Sequence, residues 1–68
     1  MNKGDLVRRN SDFDLYMRQV RNIPPQSIKT FRIQNIHDGK IQLASEDQRW
    51  HGVVPVGVVG MMQKVVSE

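Results

Sequence analysis

The dipeptide Asp38-Gly39 limits what this chain can become more than any other feature. It lies inside Phe31–Ser45 (FRIQNIHDGKIQLAS), between two runs rich in Ile. Asp-Gly in that setting marks a β-hairpin. Two loop lengths give different pairings. A two-residue loop, Asp38-Gly39, pairs His37 with Lys40 and Ile36 with Ile41. Carried on, it sets Gln34 beside Leu43 and Ile33 beside Ala44, and apolar residues fall on both faces. A three-residue loop, His37-Asp38-Gly39, pairs Ile36 with Lys40, Asn35 with Ile41, Ile33 with Leu43 and Phe31 with Ser45. Phe31, Ile33, Ile41 and Leu43 then share one face, and Thr30, Arg32, Gln34, Gln42 and Ala44 share the other. A slip of one residue moves every side chain across the sheet, so the register that gathers the apolar residues is favoured. Gly39 has no Cβ and suits the left-handed position of that loop. The expectation is the three-residue loop, with Ile36 left at the hairpin's end.

Residues 1–68 make one domain, with 1–3 expected to fray. A chain this short buries only about 60% of its unfolded surface. It has no Cys, so no disulfide or thiolate metal site can staple it. Stability must come from a dense core, helped where needed by self-association. Ten basic residues stand against seven acidic ones, for a net charge of +3. This small basic protein permits nucleic acid as a partner without requiring it. Met1–Arg9 lacks the apolar core of a signal peptide. The longest apolar run, Val53–Met62, is broken by Pro55, Gly57 and Gly60 and falls short of the ~20 residues that span a bilayer. The expected location is cytoplasmic, with no membrane partner.

Around the hairpin the other elements can be placed in order. Gly4–Arg9 reads as a short first strand, and Asn10-Ser11-Asp12 as a loop. Phe13–Arg21 fits two periods. Apolar residues at 13, 15 and 17 suit a strand; those at 13, 16, 17 and 20 suit a helical stripe. The β-rich neighbourhood and the nearby Pro24-Pro25 favour the strand. The prolines break regular structure. Glu46-Asp47 forms a polar turn into a strand over Arg49–Val54, which sets Trp50 opposite Leu43. Pro55–Gly60 suits one tight helical turn, and Met61–Val66 a last strand closing against the first.

Gly4-Asp5-Leu6-Val7 at the start and Trp50…Val54-Pro55…Met61…Val65 at the end carry a likeness. The chain resembles the SH3-like barrels, which often open on a Gly-Asp turn and end in a strand, a helical turn and a closing strand. The resemblance implies an all-β barrel of five to six strands with a short helical turn before the last. It also implies a binding module for RNA, ribosomes, modified tails or neighbouring subunits. The acidic and aromatic pattern of proline-peptide-binding SH3 domains is missing.

Catalytic signatures are absent from the sequence. His37 and His51 match no zinc spacing, and Ser11, Ser27, Ser45 and Ser67 lie outside any G-x-S-x-G elbow. Asp12, Asp14, Asp38, Glu46 and Asp47 suit turns and solubility. Gly57 and Gly60 form no phosphate loop. The expectation is a non-enzymatic protein with no metal and no cofactor.

Two candidate surfaces remain. Arg8, Arg18, Arg21, Lys29, Arg32 and Arg49 all fall in expected strands, while acidic residues fall in expected loops. If Arg18 lies beside Arg32, then Arg18, Arg21, Lys29 and Arg32, with Tyr16 at the edge, form a nucleic-acid-binding strip. The bland alternative is a solvated exterior. The second surface is Val53–Met62, where seven of ten residues are Val or Met. A small core has little room for all of them. Val53, Val56, Val58, Val59, Met61 and Met62 become candidates for a protein interface or a homo-oligomer contact. The bland alternative here is that the stretch is simply core. A protein-interaction subunit, adaptor or inhibitor is slightly favoured over an RNA- or single-stranded-DNA-binding module.

Overall fold

The computed structural model describes residues 2–65. The elements run β1 (Leu6–Arg8), α1 (Ser11–Gln19), β2 (Thr30–His37), β3 (Lys40–Ser45), β4 (His51–Pro55), α2 (Val56–Val59) and β5 (Gln63–Val65). The strands form one antiparallel sheet in the order β4-β3-β2-β1-β5. The last strand pairs with the first, as expected, setting Leu6 against Val65 and Arg8 against Gln63. No ladder joins β4 to β5 among the described residues, so the sheet is open there. Val66 lies outside the described residues, as does Met1. Before β1, Asp5 N–H donates to Asn2 O at 3.1 Å, and Gly4 N–H to Ile33 O at 2.7 Å.

The hairpin reconciles the two loop readings. His37 pairs with Lys40 and Ile36 with Ile41, so the loop has two residues, not three. Asp38 (φ 49°) and Gly39 (φ 73°) are both left-handed, the geometry of a type I′ turn, which matches the twist of the strands. An irregularity between Ile33 and Asn35 then shifts the register. Beyond it Ile33 pairs with Leu43 and Phe31 with Ser45. The extra residue, Gln34, is a β-bulge. The turn chemistry wins at the tip, and core burial wins at the base. Phe31, Ile33, Ile41 and Leu43 are all buried, while Ile36 is exposed at the hairpin end.

Residues 11–19 form a helix, not a strand, and this is the main correction. Asn10 caps it, its Oδ1 accepting Phe13 N–H at 2.8 Å. Asp12 and Asp14 occupy the first turn and Arg18 the last, where each charge suits the helix dipole. Phe13 and Met17 are fully buried and Tyr16 packs beside them, while Leu15 is exposed. The helix ends in a Schellman motif: Arg21 N–H donates to Arg18 O and Asn22 N–H to Met17 O. Arg21 holds the left-handed position usually given to Gly (φ 60°). Arg21→Gly is expected to stabilise the fold by about 0.5–1 kcal/mol, since Gly has no Cβ to clash there. Urea unfolding checks this as a higher midpoint at constant slope.

Arg9 ties α1 to the proline loop. Its side chain is only 10% exposed. Nε donates to Asp14 Oδ1 at 2.6 Å, and the same guanidinium donates to Pro25 O at 2.9 Å and Ile28 O at 3.2 Å. A guanidinium can fork between a carboxylate and carbonyls in this way, and an ammonium cannot. Arg9→Ala is expected to cost about 2 kcal/mol through lost charge-assisted hydrogen bonds. Arg9→Lys should recover little of it in the same urea titration.

Trp50 is buried as expected but pairs differently. Gly52, not Trp50, stands opposite Leu43. The connection is longer than the expected Glu46-Asp47 turn. Gln48 N–H donates to Ser45 O, and Trp50 O accepts Ser45 N–H. Buried Ser45 braces this turn: its Oγ donates to Asp47 Oδ1 at 2.6 Å and accepts Trp50 N–H at 3.1 Å. The Ser45 hydroxyl and then the Arg49 N–H hold the Asp47 carboxyl below its usual pKa. The Trp50 ring reaches over Gly52 and joins Phe13 and Phe31, with ring centroids 4.8–6.1 Å apart.

Candidate nucleic-acid interface

The two faces of the sheet differ in kind. The inner face carries Phe31, Ile33, Ile41, Leu43 and Val54, and α1 covers it through Phe13 and Met17. The outer face is set by the alternate positions. Cross-strand rows there run Arg32–Ala44–His51, then Asn35–Gln42–Val53, then His37–Lys40–Pro55. Leu6 and Arg8 continue the face onto β1, facing Arg32 and Thr30. Arg8, Arg32, Asn35, His37, Lys40, Gln42 and His51 are all exposed. Ala44 is buried between longer neighbours although it points outward.

Among the described residues no strand contains an Asp or Glu. Every carboxylate described lies in α1, in a connecting segment or, for Asp5, just before β1. The segregation is a sequence-level signal, but its geometry differs from expectation. Of the basic residues expected in strands, only Arg8 and Arg32 are there. Arg18 lies on α1, Arg21 at its cap, Lys29 just before β2 and Arg49 in the β3–β4 turn. Because α1 packs on the inner face, Arg18, Arg21 and half-buried Tyr16 sit on the opposite side of the sheet from Arg32. The expected strip does not assemble. Lys29 lines a separate cleft with Thr30 and Glu46. Lys40, His37 and His51 are the outer-face cationic or titratable residues that sequence reasoning passed over. Period-two alternation from the hairpin, counted on the tip register, finds His37 and Lys40; His51 follows only from the β3–β4 register.

The outer face is hollowed. Lys3, Gln34, Asn35, Gln42, Gln48 and His51 line a depression of about 420 Å³. A second, of about 280 Å³, continues past Asn35 and Gln42 to His37, Lys40 and Val53. The two share Asn35 and Gln42 and so form one trough across β2, β3 and β4. The Gln34 bulge contributes to it by turning an extra amide onto this face. Arg32 borders the trough and is held in place, its Nη1 donating to Gly4 O at 2.8 Å. At the far edge of the sheet, Lys64 pairs with Asp5 at 3.5 Å. The Asn2 N–H, with Lys64 adding to it, lowers the Asp5 pKa.

The Val/Met stretch divides. Val59 and Met62 are core, and Val58 packs half-buried against it. Val53, Val56 and Met61 are exposed by 53%, 44% and 65%. Val53 belongs to the trough, whereas Val56 opens α2 and Met61 follows it. Among the described residues no three His, Asp or Glu side chains gather at metal-holding distance, and no helix is long and apolar enough to cross a membrane. No family model matches this chain, and neither a curated protein nor a solved structure matches it.

Proposed function

We propose that the protein is a non-catalytic module that binds single-stranded nucleic acid across the outer face of its sheet. The observation that carries this reading is a sheet whose described strands contain no carboxylate and whose exposed face bears Arg8, Arg32 and Lys40 together with an amide-lined trough. A phosphate chain gains from fixed positive charge and releases counterions on binding; the carboxylates that reach this face sit at its margins, Glu46 on Thr30 Oγ1 at 2.6 Å and Asp38 beside His37 at 3.1 Å. The finer fold reading, an SH3-like barrel, is part of the proposal. It is supported by the strand order and by the helical turn α2 between β4 and β5. The helix α1 between β1 and β2 and the open β4–β5 edge set this chain apart from a plain barrel.

Fluorescence anisotropy with a labelled short single strand tests the binding. Three phosphate contacts give a log–log salt slope of about −2. Replacing Arg8, Arg32 and Lys40 together by Gln should flatten it. Absence of binding at low salt, or a slope that the triple variant leaves unchanged, would overturn the reading.

A protein partner is the second reading, favoured by the exposure of Val56 and Met61. Sedimentation of the protein and of Met61→Glu separates the two. A dimer dissociated by Met61→Glu supports the protein interface; a monomer with unaltered nucleic-acid affinity supports the first reading.

A further inference from the structure

We infer that His37 and His51 are proton-loaded contacts for the phosphate chain, so that the trough tightens its grip as the pH falls below about 7. This rests on the nucleic-acid reading above and deepens it by naming what regulates the same site. The chain has two histidines, and the fold brings both to the outer face. His51 lies on β4 beside Lys3 and the amides of Gln34, Asn35, Gln42 and Gln48. His37 ends β2 opposite Lys40, in the second hollow of the trough. Both residues are exposed, so a strand laid across the face can meet them without any movement of the core. Among the described residues that line the trough, none is Asp or Glu. A neutral imidazole has one N–H donor and one acceptor nitrogen. The protonated ring donates from both nitrogens and carries a full charge.

The neighbours decide what each proton does. His37 Nε2 lies 3.1 Å from Asp38 Oδ2. When Nε2 carries the proton of a neutral ring, Asp38 accepts it, and the ring turns only a lone pair toward a phosphate. Protonation makes Nδ1 a second donor and offsets the Asp38 charge, which leaves Lys40 across the ladder unopposed at the hairpin tip. The charged groups on the His51 side are Lys3 and, along the row through Ala44, Arg32. From the segment after α1 comes the uncharged Asn22 amide, its Nδ2 3.5 Å from His51 O. An imidazolium at His51 therefore adds net charge to an amide surface. Arg8, Arg32 and Lys40 keep their charge throughout, whereas an imidazole changes its charge between about pH 5 and pH 8. A phosphate favours the charged ring, so binding takes up protons. The gain is full below the titration of the free ring and is lost as the pH rises through its titration in the complex.

The experiment is an anisotropy titration of labelled oligo-dT over a range of salt, at about pH 5.5 and about pH 8, on either side of the imidazole range. Thymine does not titrate between them, and ordinary carboxylates, which titrate near about 4, stay ionised. Affinity should be about tenfold higher per ring at the lower pH, the size of one pH unit of preference for the charged form. The log–log salt slope should steepen from about −2, for three phosphate contacts, to about −3.5, for five. Replacing both rings, His37→Gln with His51→Gln, should give one affinity and one slope at the two pH values. Each single change should remove part of the difference. Calorimetry in two buffers of different ionisation enthalpy should count about one proton taken up near pH 6.5. Equal affinity and slope at both pH values in the unaltered protein, or a pH effect that survives the double change, overturns the inference while leaving backbone binding intact. No binding at either pH overturns both.

Discussion

Phe13→Ala is expected to leave the chain unfolded at room temperature. Phe13 is fully buried, 4.8 Å from Phe31 and 6.1 Å from Trp50 between ring centroids. Truncating it removes one member of an aromatic cluster and opens a cavity, at a cost of about 4 kcal/mol. A core in a domain of this size supplies roughly 3–5 kcal/mol in all. The loss is thus comparable to the whole. No disulfide can make up the difference. Phe13 is also one of only two fully buried residues through which α1 grips the sheet, the other being Met17. Far-UV circular dichroism and the emission of the single Trp report the outcome together. Loss of both signals is the expected result. Loss of helix with a native-like Trp50 emission would mean that α1 is an appendage and the sheet is stable alone.

Gly52→Ala has the second large effect, and it works by crowding. A Cβ on Gly52 would lie 2.5 Å from Trp50 Cη2 and 2.6 Å from Cζ2, with Asn22 Nδ2 at 3.1 Å. The ring cannot easily yield. Phe31 backs it at 5.1 Å, and its Nε1–H donates to Asn22 Oδ1 at 3.3 Å. Overpacking of this kind costs about 3 kcal/mol. The backbone at Gly52 is not left-handed, so the penalty is steric, and shrinking the neighbour should relieve it. Adding Trp50→Phe to Gly52→Ala is expected to cost less than the sum of the two single changes, as a double-mutant cycle would read. Gly57→Ala serves as the contrast. A Cβ there would meet nothing within 4 Å, so no destabilisation is expected.

Much of the sheet was legible because the hairpin obeys period two and its turn obeys simple chemistry. Phe31, Ile33, Ile41 and Leu43 face inward as the pattern required. The conflict between the two registers was real, and the Gln34 bulge resolves it by satisfying each over a different span. A bulge without Gly leaves no mark in a single sequence. The helix α1 was misread for two reasons. Leu15, which completes the strand-like alternation, is exposed and lies off the buried stripe of the helix. Arg21 occupies the left-handed stop position where a Gly would have announced a helix end. The start was readable: Asn10-Ser11-Asp12 is a capping sequence before an amphipathic run, though its composition also suits a loop. That error carried into the candidate site. A strand at 13–21 would have brought Arg18 beside Arg32, whereas a helix on the core side removes it. Trp50 reached the core by another route, because Gly52 opposite Leu43 leaves room for a ring from two residues away. The Val/Met stretch divided because α2 turns Val59 inward and Val56 outward. No composition argument separates those positions.

The proposed working surface is the outer face of the sheet. Amide chemical-shift mapping with oligo-rA tests it most directly. The largest perturbations are expected at Arg32, Asn35, Gln42 and His51, with Arg18, Val56 and Met61 unmoved. Perturbations centred on Val56 and Met61, or spread over α1, would contradict it.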